Sequence, residues 1–290
     1  MQLKQSKKQH VKLRIGISGA SGFGKTYSAL QLAYGITQNW NKIALIDTEN
    51  ASASLYADLG AFNVLDLQAP FSPERYVEAI ETCEKGGMEA IIIDSISHEW
   101  AGTGGCLQIH EQLGGRFQDW AKITPRHQAF IDKILQSKCH IITTTRRKTD
   151  YSLDMTSNGK TKVVKHGTKE ITRDGFEYEL TVNFEIVNEN HLVKASKDRT
   201  GLFMNKPEFV ISDAVGTKLM EWCNSGSEAN VPIDERINRC TSMKELVDLY
   251  QKNDEFHADQ FKTLFQQKRK ELEQFIKTQN VKQNGINTST

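Results

Sequence analysis

A lysine and a threonine closing a glycine-rich run are the residues of this chain best equipped for chemistry. Gly19-Ala20-Ser21-Gly22-Phe23-Gly24-Lys25-Thr26 fits the pattern G-x-x-x-x-G-K-[ST] at every fixed position. Glycines at these places let backbone N–H groups turn inward around a polyphosphate. A helix opening after the loop adds its partial positive charge. Lys25 would then reach the β- and γ-phosphates, and the Thr26 hydroxyl would ligate Mg²⁺. The elements that must position these groups are readable on either side. Residues 12–18 read as a short buried strand leading in. Residues 27–36 read as an amphipathic helix leading out, with Leu30, Ala33 and Tyr34 at helical spacing.

Carboxylates follow in the places such chemistry needs. Residues 42–50, K-I-A-L-I-D-T-E-N, form a compact apolar strand ending in Asp47 and Glu49. Ligands of open α/β sheets sit at the carboxyl ends of strands, where a carboxylate can orient and polarise a water. Residues 90–95, A-I-I-I-D-S, form a second apolar strand, ending in Asp94, an acid placed to support Mg²⁺. Glu99 is an alternative general base to Glu49. Between these acids, residues 64–67 read as a short strand and Pro73–Lys85 as a helix with Tyr76, Val77, Ile80 and Cys83 on one face. Residues 97–116 carry five glycines and read as a long loop. A helix over 120–137 and a strand over 140–145, H-I-I-T-T-T, come next. Thr144 and Thr145, at the polar end of that strand, with Arg146 beyond, would lie near the nucleotide.

The segment 146–173 carries eight cationic residues against three acidic ones, with Tyr151 and His166 interleaved and a turn signal at Ser157-Asn158-Gly159. A basic hairpin with aromatics suits a single-stranded nucleic-acid backbone. A merely solvated hairpin is the competing reading. Two further strands are expected over 178–187 and 191–196, leading into Lys197-Asp198-Arg199-Thr200-Gly201. A cationic pair so placed can act on a neighbour's γ-phosphate, or be an ordinary surface turn.

The chain has 290 residues and a formal net charge of +1, so any nucleic-acid site must be local. Its five cysteines are scattered and show no C-x-x-C pair, which argues against a zinc site or a disulfide framework and for a reducing compartment. The first residues lack an apolar run and no stretch approaches membrane-spanning length, so a cytoplasmic protein is expected. The expected organisation is a flexible basic arm over 1–10, an ATPase core over 11–223, a linker over 224–230, a helical module over 231–278 with balanced charge, and a disordered tail over 279–290.

Taken in order, G-A-S-G-F-G-K-T, I-D-T-E-N, I-I-I-D-S, I-I-T-T-T-R and K-D-R-T-G resemble the RecA-like ATPase core. They are similar in particular to compact phage-encoded RecA-like ATPases of recombination and single-strand annealing. R-D-G-F-E-Y-E-L (residues 173–180) is similar to the phage AAA-type nucleotide-binding proteins. The resemblance covers residues 12–204. It implies an α/β fold with a mainly parallel sheet and an antiparallel edge hairpin; the small C-terminal helical module, read from its own apolar pattern, has no counterpart in the resemblance. It implies ATP and Mg²⁺ as cofactors, held by residues 19–27, that is Gly19, Ala20, Ser21, Gly22, Phe23, Gly24, Lys25, Thr26 and Tyr27. Glu49 would be the water-activating base and Asp94 the metal acid. Thr145 would stand where RecA has a glutamine sensor. Lys197 and Arg199 would be fingers crossing a subunit interface, in a homo-oligomeric ring or filament. The loops 97–116 and 147–169 would face DNA, with Arg147, Lys148, Lys160, Lys162 and Lys165 as phosphate contacts.

The implied role is ATP-dependent handling of single-stranded DNA in phage recombination or replication, in a bacterial host cytosol and encoded by phage or prophage. The C-terminal helices would be free to bind a single-strand-binding or replication protein. A helicase-like or helicase-loading motor is one alternative. A nucleotide-gated interaction module without DNA binding is another. A small-molecule kinase is less well supported, since no lid or acceptor signature is present.

Overall fold

In a computed structural model of the chain, residues 11–155, 161–225, 233–252 and 259–285 are described. Contacts divide the described residues into one unit ending at Cys223 and another from Asn224 onward. The expected basic arm, residues 1–10, lies outside the described residues.

The larger unit is built on a sheet of parallel strands: β1 (Arg14–Gly19), β2 (Ile43–Asp47), β3 (Asn63–Asp66), β4 (Ala90–Asp94), β5 (His140–Met155) and β7 (Val182–Ile186). Two antiparallel strands, β8 (Leu192–Asp198) and β9 (Phe209–Val210), extend one edge. The order is β3-β2-β4-β5-β1-β7-β8-β9, with β6 (Thr161–Glu170) paired to β5 alone. Strand β5 therefore runs between the strand entering the phosphate loop and the strand ending in Asp94.

Side-chain alternation splits the apolar strands between two cores. Ile15, Ile17, Leu45, Ile92 and Ile142 pack with α1 (Lys25–Thr37) and α6 (Asp213–Asn224). Ile46, Ile91, Ile93 and Ile141 pack with α2 (Pro73–Lys85) and α5 (Trp120–Gln136). The product is a three-layer α/β/α unit. Gly35 and Gly216 let α1 and α6 cross closely: a Cβ on Gly35 would come within 1.9 Å of the Asp213 carbonyl. Pro73 at the first turn of α2 follows the expected rule for helix starts.

Three sequence expectations change. The strand 140–145 and the basic hairpin are one continuous sixteen-residue strand and its partner, so the hairpin grows from the centre of the sheet. The glycine-rich loop 97–116 contains two short helices, α3 (Ser97–Ala101) and α4 (Cys106–Gln112), because its glycines cluster at 102–105 and 114–115 and leave helix-forming runs between them. The strand expected over 178–187 begins only at Val182, after a 3₁₀ turn over Phe176–Glu179.

The second unit holds α7 (Ile233–Arg239), α8 (Met243–Lys252) and α9 (Asp259–Gly285). Ile237, Cys240, Leu246, Phe265 and Leu272 form its core. Ser242 and Glu245 form a capping interaction at the start of α8: the Glu245 N–H donates to Ser242 Oγ at 3.2 Å, and Glu245 Oε2 accepts from the Thr241 N–H at 2.9 Å. Helix α9 continues to Gly285, so residues 279–285 are helical where a disordered tail is expected. The run T-Q-N-V-K-Q-N contains neither proline nor glycine to stop the helix earlier. Among the described residues no helix is long and apolar enough to cross a membrane.

Buried His140 makes the fold pH-sensitive. Its Nδ1 accepts the Leu13 N–H at 3.2 Å. Burial, with Lys12 and Arg14 adding to it, pushes its pKa from 6.5 down to about 4. Between those values the unfolded chain takes up a proton that the native state refuses, so stability falls as pH drops through that window. The expected loss by pH 4 is about 3 kcal/mol. Urea melts of wild type and His140→Gln from pH 7 to 4.5 should show a shallower pH slope in the variant. Equal slopes would remove His140 as the cause.

Candidate functional site

The strand–loop–helix from β1 to α1 folds as its residue types require. Gly24 has φ 84°, the left-handed region glycine favours. A Cβ there would also meet the His191 ring at 2.9 Å. The loop closes one wall of a cavity of about 600 Å³, lined also by Glu49, Tyr56, Asp94, Arg146 and His191.

Inside this cavity Lys25 Nζ donates to the Ala20 carbonyl at 2.8 Å, bridging the loop from within. Burial lowers its pKa, while the Asp94 and Glu49 charges oppose that. Thr26 Oγ1 donates to Asp94 Oδ2 at 2.6 Å, and Thr144 Oγ1 donates to Asp94 Oδ1. Asp94 is buried, and that burial raises its pKa against the two hydroxyl bonds. A hydroxyl and a carboxylate, both hard oxygen donors, are the ligands Mg²⁺ takes from protein when phosphates supply the rest. The loop amides and Lys25 suit a polyphosphate. The donor set thus fits Mg²⁺ and a nucleotide.

The two acids after β2 separate into different roles. Asp47 is buried and accepts the Glu49 N–H at 2.6 Å and the Ala53 N–H at 2.8 Å, which fixes the turn. Glu49 faces the cavity, and its Oε1 accepts from Arg146 Nε at 2.9 Å and Nη2 at 2.7 Å. Thr48, between them, ties the ends of β2 and β4 together: its N–H donates to the Asp94 carbonyl at 2.8 Å, and its Oγ1 accepts the Ser95 N–H at 2.9 Å. Glu99, the alternative base, is buried outside this cavity against His127 and Cys106.

Thr145 is a correction. Strand alternation puts Thr144 and Arg146 toward the acids and Thr145 on the opposite face, where it is 2% exposed and off the cavity lining. Arg146 occupies the place expected of the sensor. Its type and its i+2 spacing from Thr144 were visible in the sequence as the final residue of I-I-T-T-T-R. His191 went unread, since nothing in its neighbourhood signals a ligand. Its φ of 61° and the contact of its Nδ1 with the Phe23 carbonyl at 2.8 Å place it against the loop.

The cationic fingers lie elsewhere. Lys197 Nζ donates to the Glu177 carbonyl at 2.8 Å, and Arg199 Nη2 donates to the Tyr178 carbonyl at 2.6 Å. Asp198 pairs with Val182, which pairs with Ile15, so this corner adjoins the start of β1 while the phosphate loop follows its end. Neither side chain lines the cavity at the phosphate loop.

Of the expected nucleic-acid contacts, Lys148 is exposed. Arg147 is a correction: it is half-buried and ion-paired with Glu185, because alternation turns it to the face opposite Arg146. Lys162 and Lys165 fall on β6, paired in register with Asp154 and Tyr151. Lys160 lies outside the described residues.

No curated protein matches the chain. A family model described as "AAA domain" matches residues 11–211, which span the phosphate loop, both metal-side groups, Glu49, the hairpin and the finger strand. With an α/β P-loop core and that match over more than half its length, the chain belongs to the AAA-domain family of nucleotide-binding, ATPase-type proteins.

Proposed function

We propose that this protein hydrolyses ATP with Mg²⁺ and couples hydrolysis to single-stranded DNA in phage recombination or replication. The observation that carries the coupling is strand β5. Its Thr144 holds the metal-side acid and its Arg146 holds Glu49. The same strand then continues without a break into the basic hairpin. A load on the hairpin therefore bears directly on the groups that touch Asp94 and Glu49. The resemblance to phage recombination ATPases supports the biological setting.

Thr26 and Asp94 would hold Mg²⁺, which on binding neutralises charge on the phosphates. Lys25 would exchange the Ala20 carbonyl for phosphate oxygens, recovering a stronger charge-assisted bond. Glu49, once released by Arg146, would orient water and take its proton. Lys197 and Arg199 would serve an adjacent subunit's nucleotide, which makes an oligomeric ring or filament part of the proposal.

The test is ATP turnover with and without single-stranded DNA across a salt series. Wild type, Lys25→Ala and a Lys160/Lys162/Lys165→Ala variant are compared. Lys25→Ala should lose turnover by at least about 10²-fold, as expected for removing a preorganised charge. DNA should stimulate wild type, less at higher salt and less in the triple variant. Turnover retained in Lys25→Ala would refute the site. Turnover indifferent to DNA would refute the coupling. That result would favour the interaction-module reading, which an apolar groove of about 480 Å³ on α8 and α9, lined by Met243, Leu246, Val247 and Phe265, supports.

A further inference from the structure

Three helices of the larger unit each send one metal-binding side chain into the same buried point. Glu99 comes from α3, Cys106 from the first residue of α4 and His127 from the middle of α5. All three are buried, at 1%, 0% and 4% exposure. His127 Nδ1 lies 3.0 Å from Glu99 Oε1, and Cys106 Sγ lies 3.1 Å from the same oxygen. All three donor atoms fall within 4.8 Å of one another. Nothing in the proposed hydrolysis uses them.

We propose that Glu99, Cys106 and His127 form a zinc site that staples α3, α4 and α5 together. One thiolate, one imidazole and one carboxylate make a mixed set that suits Zn²⁺ and not Mg²⁺ or Ca²⁺, which prefer oxygen alone. Tetrahedral zinc, with bonds of about 2.0–2.3 Å, needs its ligand atoms about 3.3–3.6 Å apart. The two short edges here have only to open by a few tenths of an ångström. The third has to close from at most 4.8 Å. On binding, the Cys106 thiol loses its proton to solvent, and the Nδ1 proton that His127 shares with Glu99 leaves that nitrogen, so that the neutral imidazole binds through Nδ1 with its one proton on Nε2. The three ligand charges then sum to −2 against the ion's +2, so the buried cluster is neutral. Water completes the fourth position.

The geometry also says what the ion would do. Glu99 follows His98, whose Nδ1 meets Thr48 Oγ1 at 2.7 Å beside Glu49. Trp100 packs edge-on to His127 with ring centroids 5.4 Å apart, and stacks on Trp120 at 5.6 Å. A bound ion would thus fix the segment whose His98 holds Thr48 beside Glu49, with a tryptophan next to it as a reporter.

The test uses the full chain and the metal alone. Elemental analysis of protein purified without chelator should give about one zinc per chain, and chelation should lower the Tm. Co²⁺ added to the stripped protein should produce a thiolate-to-cobalt charge-transfer band and change tryptophan fluorescence. Cys106→Ala and His127→Gln should each raise the zinc Kd by about 100-fold or more. Replacing Cys83, Cys139, Cys223 and Cys240 by Ala in a protein that remains folded by circular dichroism should leave the cobalt band intact. Folded wild-type protein with no stoichiometric zinc and no cobalt–thiolate band would overturn the site, as would a band that survives in Cys106→Ala. In those cases the contacts are simply a thiol and an imidazole donating to a carboxylate. None of these readouts depends on ATP turnover, so the zinc site and the ATPase reading stand or fall separately.

Discussion

Glu49→Gln is expected to lower ATP turnover by about 10²–10⁴-fold while nucleotide affinity changes only a few-fold, the range removal of a general base produces. The amide keeps the shape of the side chain. Its carbonyl oxygen can still accept from Arg146, whose Nε and Nη2 both reach Glu49 Oε1. The turn is held independently by Asp47, which accepts the Glu49 and Ala53 N–H groups. What the amide cannot do is take a proton from water. Binding should therefore survive, because Lys25, the loop amides and the Thr26–Asp94 pair are untouched. Single-turnover hydrolysis with labelled ATP, measured beside nucleotide affinity, separates the two effects. Near-normal turnover in this variant would remove Glu49 as the base. Glu99 would not replace it from where it stands, since it is 1% exposed and off the nucleotide cavity.

Arg14→Met should cost about 3–5 kcal/mol of stability, the largest effect expected away from the site. The Arg14 guanidinium is buried and donates to four carbonyls: Leu13 at 3.0 Å, Cys139 at 2.8 Å, Leu135 at 3.0 Å and Ser137 at 2.6 Å. Leu135 and Ser137 are at the C-terminal end of α5, where helix carbonyls lack intrahelical donors and carry partial negative charge. Arg14 thus caps α5 from the first strand of the sheet and sets where β5 begins. Burial alone is unfavourable to the cation, and it pushes the Arg14 pKa down to about 10. The carbonyls offset that cost. Methionine fills part of the volume but leaves them without this donor. Lysine, a single point charge, cannot serve four acceptors in a planar fork. Denaturant melts should place Arg14→Met well below wild type and Arg14→Lys between them. A loss under 1 kcal/mol for Arg14→Met would show that water replaces the guanidinium at no great cost.

The phosphate-loop part of the site was legible because its pattern is local in sequence. The phosphate loop needs its glycines, lysine and threonine within eight residues, and the flanking strand and helix follow from hydrophobic period alone. Asp94 and Glu49 were readable for a related reason. An apolar strand that ends in an acid delivers the acid to the carboxyl edge of a parallel sheet, wherever that strand stands in the order. Pro73–Lys85 was readable to the residue from its proline and its apolar face.

What the sequence left open is what depends on a second strand or on the face of one. Thr145 and Arg146 are neighbours in the chain, and only pairing of β5 between β1 and β4 decides that Arg146 meets Glu49 while Thr145 turns away. The same alternation sends Arg147 to Glu185 instead of to solvent. His191 reaches the phosphate loop 168 residues upstream solely because β7 and β8 pair at that edge. Glu99, Cys106 and His127 carry no motif spacing, and three helices packed together make them one cluster. Sequence period fixes which face a side chain takes within an element. The partner across that face is set by non-local packing, and only the folded chain supplies it.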